Sequence, residues 1–137
     1  MPRFVVLEHD YPDVHWDLML ESGEKLEAWS LPPHTLPLGA FRCLAKRLPD
    51  HRSRYLDYEG EISDGRGSVQ RIDAGIFDRL SEQRFLLRGA VFTGVLEFYA
   101  DGSIYFFPNP YSTPSSLPMT RTPSDAAGDA VILSDVS

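Results

Sequence analysis

His9, His15 and Asp17 place two imidazoles and a carboxylate within nine positions of one another. That donor set suits a first-row divalent metal, with coordination positions left open for water and substrate. In an extended strand residues i and i+2 point the same way, about 7 Å apart at roughly 3.3 Å per residue. His15 and Asp17 therefore share a face, while Trp16 turns into the core. His9 sits at the end of the preceding strand. The stretch Asp10-Tyr11-Pro12-Asp13-Val14 loops back, so a hairpin stands His9 beside His15. The same three residues also read as ordinary exposed positions of an amphipathic strand, because His and Asp are common on solvated sheet faces. Type and spacing alone leave both readings open.

Period-two alternation dominates the segments that must position these residues. Arg3–Glu8 reads as a strand. His15–Glu21 alternates cleanly, with Trp16, Leu18 and Leu20 on one face and His15, Asp17, Met19 and Glu21 on the other. Ser22-Gly23-Glu24 signals a hairpin turn into Lys25–Leu31. Pro32, Pro33, Pro37 and Gly39 mark a long loop. Further strands are expected at Arg42–Leu48, Tyr55–Ile62 and Gly67–Asp73, after which Gly75 is expected to turn the chain. Phe85–Arg88, Gly94–Tyr99 and Ser103–Phe107 follow, the last after an Asp101-Gly102 turn. No helical stripe stands out; Asp78–Arg84 is long enough for one short turn. The expected fold class is all-β: a compact, mainly antiparallel β-barrel of about seven to nine strands with little helix.

A chain of 137 residues argues for one domain. From Asn109 onward it is rich in Pro, Ser, Thr, Ala and Asp, and buries too little apolar surface to offset the entropy of ordering it. The expectation is a barrel over 1–108 and a disordered tail over 109–137, with Val131-Ile132-Leu133 a frayed terminus or a docking motif. No apolar run approaches the roughly 20 residues of a membrane helix. Met1-Pro2-Arg3 passes straight into a strand-like segment, without the long apolar run and cleavage site of a signal peptide. The expected compartment is the cytoplasm, with no membrane partner. A single cysteine, Cys43, excludes an internal disulfide framework and a cysteine zinc cage. The net charge of −7 disfavours non-specific nucleic-acid binding, which depends on phosphate neutralisation. A local basic surface is still available: Arg42, Lys46, Arg47, Arg52 and Arg54 fall close together around His51. Such a run is either a phosphate-facing patch or a solvated edge protected from aggregation.

The ordered series of motifs resembles the 3′-phosphoesterase domain of bacterial DNA ligase D, here as a stand-alone version. It opens with Phe4-Val5-Val6-Leu7-Glu8-His9, five residues, then His15-Trp16-Asp17-Leu18-Met19-Leu20-Glu21. It continues through Ala28-Trp29-Ser30-Leu31-Pro32. Asp50-His51, Tyr55 and Tyr58-Glu59-Gly60-Glu61-Ile62 come next, then Asp64-Gly65-Arg66-Gly67-Ser68-Val69 and Asp73-Ala74-Gly75. The series covers roughly residues 3–99.

That resemblance implies a β-barrel binding manganese or a similar metal and removing 3′-phosphate or 3′-ribonucleotide blocks from DNA or RNA/DNA 3′ ends in repair. It makes His9, His15 and Asp17 the metal ligands, and His51 and Tyr55 the catalytic pair facing the scissile phosphate. Imidazolium and phenol donate to phosphate oxygens, and His51 can serve as general acid. Read alone, they are a surface histidine and a packed tyrosine. Two positions depart from the family. Met19 stands where it carries an Arg, and Pro33 where it usually carries a Lys; neither replacement can clamp a phosphate. Arg42, on the candidate strand before His51, is the expected phosphate-binding substitute. A catalytically weakened barrel, binding nucleic acid or a ligase or polymerase partner, is the alternative. A small-molecule-binding barrel is a third reading, and needs an enclosed apolar cavity.

Overall fold

The computed structural model describes residues 1–33 and 39–108. The expected tail over 109–137 and part of the proline-rich loop lie outside the described residues. The strands are β1 (Arg3–His9), β2 (His15–Ser22), β3 (Lys25–Leu31), β4 (Phe41–Leu44) and β5 (Lys46–Arg52). Then come β6 (Gly60–Glu61), β7 (Ser68–Arg79), β8 (Arg84–Gly89), β9 (Thr93–Phe98) and β10 (Ser103–Pro108). All pairings are antiparallel. Nine strands follow one path, β4-β10-β9-β8-β7-β1-β2-β3-β5, and the two-residue β6 adds to β7. The path starts with β4 and ends with β5, yet only Ala45 separates these strands in the chain. The sheet must therefore curl until its two edges share a corner, which gives the half-barrel.

Alternation sorts the apolar side chains onto the two faces. Phe4, Val6, Trp16, Leu18, Leu20 and Leu31 join residues of β7–β10, including Phe77, Leu87 and Phe106, in the main core. The opposite face was expected to be open, and it is not. Val5, Leu7, Met19, Leu26 and Ala28 form a second buried cluster with Leu56 and Val69. Every residue from Trp16 to Leu20 is consequently buried.

Four other expectations are corrected. Arg42–Leu48 is two strands, because the chain switches from one sheet edge to the other at Ala45, whose N–H donates to the Gly102 carbonyl at 2.8 Å. Tyr55–Ile62 is mostly not a strand. A 3₁₀ turn over Ser53–Leu56 buries Leu56, and Tyr55, Tyr58 and Ile62 pack over the second cluster as a cover. Asp78–Arg84 forms no helical turn: β7 runs on to Arg79, and Leu80 N–H donates to Arg84 carbonyl across the bend. Gly75 does not turn the chain either. It lies inside β7 opposite Gly89 of β8, where a side chain would collide with the Arg88 carbonyl. Glycine is required there for close approach of two strands, not for a turn.

Asp73 is the polar member of this region, only 4% exposed. Its carboxylate accepts three backbone N–H bonds, from Ala90 and Val91 at 3.0 Å and Phe92 at 2.6 Å. It thereby closes the β8–β9 connection onto β7. Asp73→Ala orphans three amides together, so a loss of about 3 kcal/mol in urea unfolding is expected, at the upper end for bonds to a charged group. A loss below about 1 kcal/mol would show that the turn holds itself.

Candidate active-site cleft

The β1–β2 register sets His9 directly opposite His15, with the imidazole centroids 5.0 Å apart. Asp17 follows one pleat further along β2, and its carboxylate reaches both rings. Oδ1 lies 3.0 Å from His15 Nε2 and Oδ2 lies 3.4 Å from His9 Nδ1. One ligand atom from each residue falls within 4.8 Å of the others.

The outer nitrogens of both rings are committed. His15 Nδ1 is 2.8 Å from the Asp13 carbonyl, and His9 Nε2 is 2.8 Å from the Arg66 carbonyl. A carbonyl only accepts, so each of these nitrogens carries the proton and donates. In the neutral rings the inner nitrogens, His15 Nε2 and His9 Nδ1, are then bare lone pairs aimed at a carboxylate. Asp17 is 3% exposed, and its Oδ1 has no hydrogen-bond donor. A buried carboxylate oxygen facing imidazole lone pairs needs a shared proton or a cation between them. This donor set fits a first-row divalent ion, which is bound by neutral imidazole and ionised carboxylate.

Two loops hold the carbonyls in place. Asp10 accepts from Ser68 N–H at 2.8 Å and Ser68 Oγ at 3.2 Å, tying the β1–β2 loop to the turn before β7. These bonds hold the Asp10 carboxyl below its ordinary range. Gly67, at φ +78°, makes the approach possible: a Cβ there would collide with the Asp10 carboxylate and stand 2.6 Å from Tyr11 Cβ. That close passage brings the neighbouring Arg66 carbonyl to His9.

His51 and Tyr55 line the same open cleft, whose volume is about 1010 Å³, as His9, His15 and Asp17. His51 reaches it through a bulge. Ala28 pairs with Leu48 but Leu26 pairs with His51, so β5 has one more residue than β3 across this interval. The extra residue moves His51 onto the face of Leu48, where simple alternation would place Asp50. Its Nδ1 donates to the Pro49 carbonyl at 2.8 Å, leaving Nε2 available. The 3₁₀ turn then folds Tyr55 back edge-on to His51, with centroids 5.9 Å apart.

Arg42 is not brought to the cleft. It lies on β4, ion-paired to Asp101 at 3.3 Å and over the Tyr105 ring. The switch at Ala45 carries β4 to the far end of the sheet path. Met19 is 1% exposed within the second cluster, so β2 supplies no cation. The cations lining the cleft are Lys46, Arg52, Arg54 and Arg66. Cys43 is elsewhere on β4, where burial pushes its thiol up to about 11, and it is no nucleophile at neutral pH. Sequence reasoning named Lys46 only as one of the basic run and missed the carbonyls of Asp13 and Arg66. Main-chain acceptors leave no signal in residue type, although the glycine-rich turn at 64–67 marked the approach.

Residues 7–105 match the family described as the DNA Ligase D 3′-phosphoesterase domain. The chain belongs to that family. It is 33% identical over 103 residues to the multifunctional non-homologous end joining protein LigD of Pseudomonas aeruginosa. The alignment covers 73% of this chain and 12% of that much longer protein. Among the described residues no helix is long and apolar enough to cross a membrane.

The tautomers are directly measurable. In metal-free protein, long-range ¹⁵N–¹H spectra of the neutral rings are expected to show His9 protonated on Nε2 and His15 and His51 on Nδ1. Gly67→Ala is expected to scramble the His9 tautomer and spare His15. A His9 already mixed in the wild type would remove the role assigned to the Arg66 carbonyl.

Proposed function

We propose that this domain is a divalent-metal-dependent phosphoesterase that removes 3′-phosphate or 3′-ribonucleotide blocks from DNA or RNA/DNA ends during repair. The observation that carries the reading is the convergence of two bare imidazole nitrogens and a buried, unpartnered carboxylate oxygen on one point of the cleft. Family membership supplies the chemistry: residues 7–105 match a 3′-phosphoesterase domain, and the relative from Pseudomonas aeruginosa acts in end joining by its name.

His9, His15 and Asp17 would hold the ion, for which manganese is our choice. When bound it supplies charge against a phosphate oxygen and makes a water molecule more acidic. The protein's own groups do the rest. The Asp13 and Arg66 carbonyls fix the ring orientations and hold the N–H of each neutral ring on its outer nitrogen, so that the inner nitrogen faces the ion. His51, anchored through Nδ1 to Pro49, holds the proton on Nε2 that the leaving oxygen needs. Tyr55 donates its phenolic O–H to a phosphate oxygen as negative charge builds there. The cleft is open, as access for a polymer end requires.

Purified protein with Mn²⁺ should trim a primer ending in a 3′-phosphate or a single 3′-ribonucleotide, leaving a 3′-hydroxyl. His51→Ala should reduce turnover by about 10²–10⁴, the usual worth of a general acid, with manganese affinity nearly unchanged by calorimetry. His15→Ala should weaken manganese binding at least about a hundredfold, since even outer partners of a metal site are worth 10–100-fold. Metal loss in His51→Ala would reverse the assignment of roles. Metal binding without cleavage of either primer would leave a binding module for nucleic acid or for a ligase or polymerase partner. The burial of Met19 where the family's Arg is expected is the observation that favours this second reading.

A further inference from the structure

The strand register places a cation in line with the histidine–aspartate cluster. Asp17 on β2 pairs with Ser30 on β3, and Ser30 pairs with Lys46 on β5. Residues directly opposite across a sheet share a face. Asp17, Ser30 and Lys46 therefore form one row across three strands, and all three line the cleft. The two backbones at its ends lie two strand spacings apart, about 10 Å. One phosphate and the four-carbon lysine stem can span that gap. Arg47, the next residue, points to the other side, over Trp29 and onto Asp50 at 2.8 Å.

The distribution of ion pairs singles out the same position. Arg3, Arg42, Arg47, Arg71, Arg84 and Arg88 are ion-paired, and none of them lines the cleft. Among the described residues the cleft cations form no ion pair. Arg54 is stacked over Tyr55 and Tyr58, and Arg66 donates through Nε to the Ser63 carbonyl at 3.0 Å. Arg52 lies at the far end of β5, opposite Lys25, outside the Asp17 row. Lys46 is exposed, and its ammonium is uncommitted among the described residues.

We infer that Lys46 is the phosphate-binding cation of this chain, gripping the phosphate whose other oxygen meets the His9–His15–Asp17 cluster. This rests on the phosphoesterase reading and adds to it a residue that sets affinity for the phosphate. It also answers the departure at Met19: the charge absent from β2 is supplied two strands away, on the same face and in the row next to that of Met19.

The test uses Lys46→Met, which keeps the stem and removes the charge, and Lys46→Arg, which restores it. Inorganic phosphate binding to the manganese-loaded protein is read by calorimetry, and primer cleavage is followed over a range of salt. Lys46→Met should weaken phosphate binding and raise KM about tenfold, with kcat changed less. It should lower the slope of log affinity for the primer against log salt by about one, the signature of one lost phosphate contact. Lys46→Arg should recover most of both effects, and manganese affinity and the urea midpoint should stay at wild-type values. Active wild type with unchanged phosphate affinity, KM and salt slope in Lys46→Met overturns the role of Lys46 and leaves the phosphoesterase reading standing. Wild type that cleaves no blocked primer, but binds phosphate in a Lys46-dependent way, overturns the enzyme reading and supports the phosphate site. Wild type that does neither overturns both.

Discussion

A carboxylate buried in a sheet needs donors, and Asp17 has been denied them. In their neutral form, both histidines that face it spend their N–H on main-chain carbonyls, so what reaches Asp17 is a pair of lone pairs. A neutral packing solution would reverse one ring and let it donate inward. The Asp13 and Arg66 carbonyls oppose that reversal, because turning a ring would orphan a carbonyl and set a bare nitrogen against it. The orientation of both rings is thus fixed by groups outside the cluster itself. Much of the surrounding architecture serves this condition. The β1–β2 register sets the rings opposite one another, Gly67 admits the loop that carries Arg66, and the Asp10–Ser68 bonds lock that loop down.

Rigidity comes from burial on both faces of β1–β3. A strand with one wet face can slip or bend at modest cost, whereas Val5, Leu7, Met19, Leu26 and Ala28 are packed beneath Leu56 and Val69. The cluster sits at the open end of that second core, so its backbone is fixed while its side chains meet the cleft. Met19 has a structural task in this arrangement. An arginine at that position would need a route out of the second cluster or a partner within it; a methionine fills the space and adds to the packing.

Local alternation and turn chemistry made the hairpins legible from sequence. Lys25–Leu31 was read to the residue, and the meeting of His9 with His15 followed from two strand ends and a five-residue loop. The features that escaped all depend on non-local partners. Gly75 looks like a turn residue until Gly89 is known to pass behind it. Arg42 and Lys46 look like members of one strand until the chain is seen to change sheet edges at Ala45, sending one to Tyr105 and the other to Ser30. The bulge that rotates His51 into the cleft adds one residue to one strand, and the period-two pattern of Lys46, Leu48 and Asp50 gives no hint of it. Tyr55 was legible as a partner of His51 only on the condition of a turn, and the 3₁₀ turn supplies it.

An acidic protein can still approach a polyanion if its cations are distributed unevenly, and ion pairing produces that unevenness here. Around the outside of the sheet, arginines are matched with carboxylates: Arg3 with Asp57, Arg71 with Glu59, Arg84 with Glu97 and Arg88 with Asp78. Those pairs contribute little to stability at exposed positions, but they cancel positive field where it would misdirect a nucleic acid. The cleft is treated differently. Asp50 is drawn out toward Arg47, and hydrogen bonding from that guanidinium holds its carboxyl below the ordinary range, so it stays ionised and engaged there. Lys46 and Arg52 are left facing the cleft without a partner among the described residues. Within a Debye length of about 8 Å at physiological salt, an anion entering the cleft responds mainly to the lining itself, where Lys46, Arg52, Arg54 and Arg66 stand together with Asp13, Asp17, Asp50 and Glu61. The net charge of −7 works against loose binding of a polyanion to the rest of the surface, so the attraction the cleft offers depends on how its own charges are balanced.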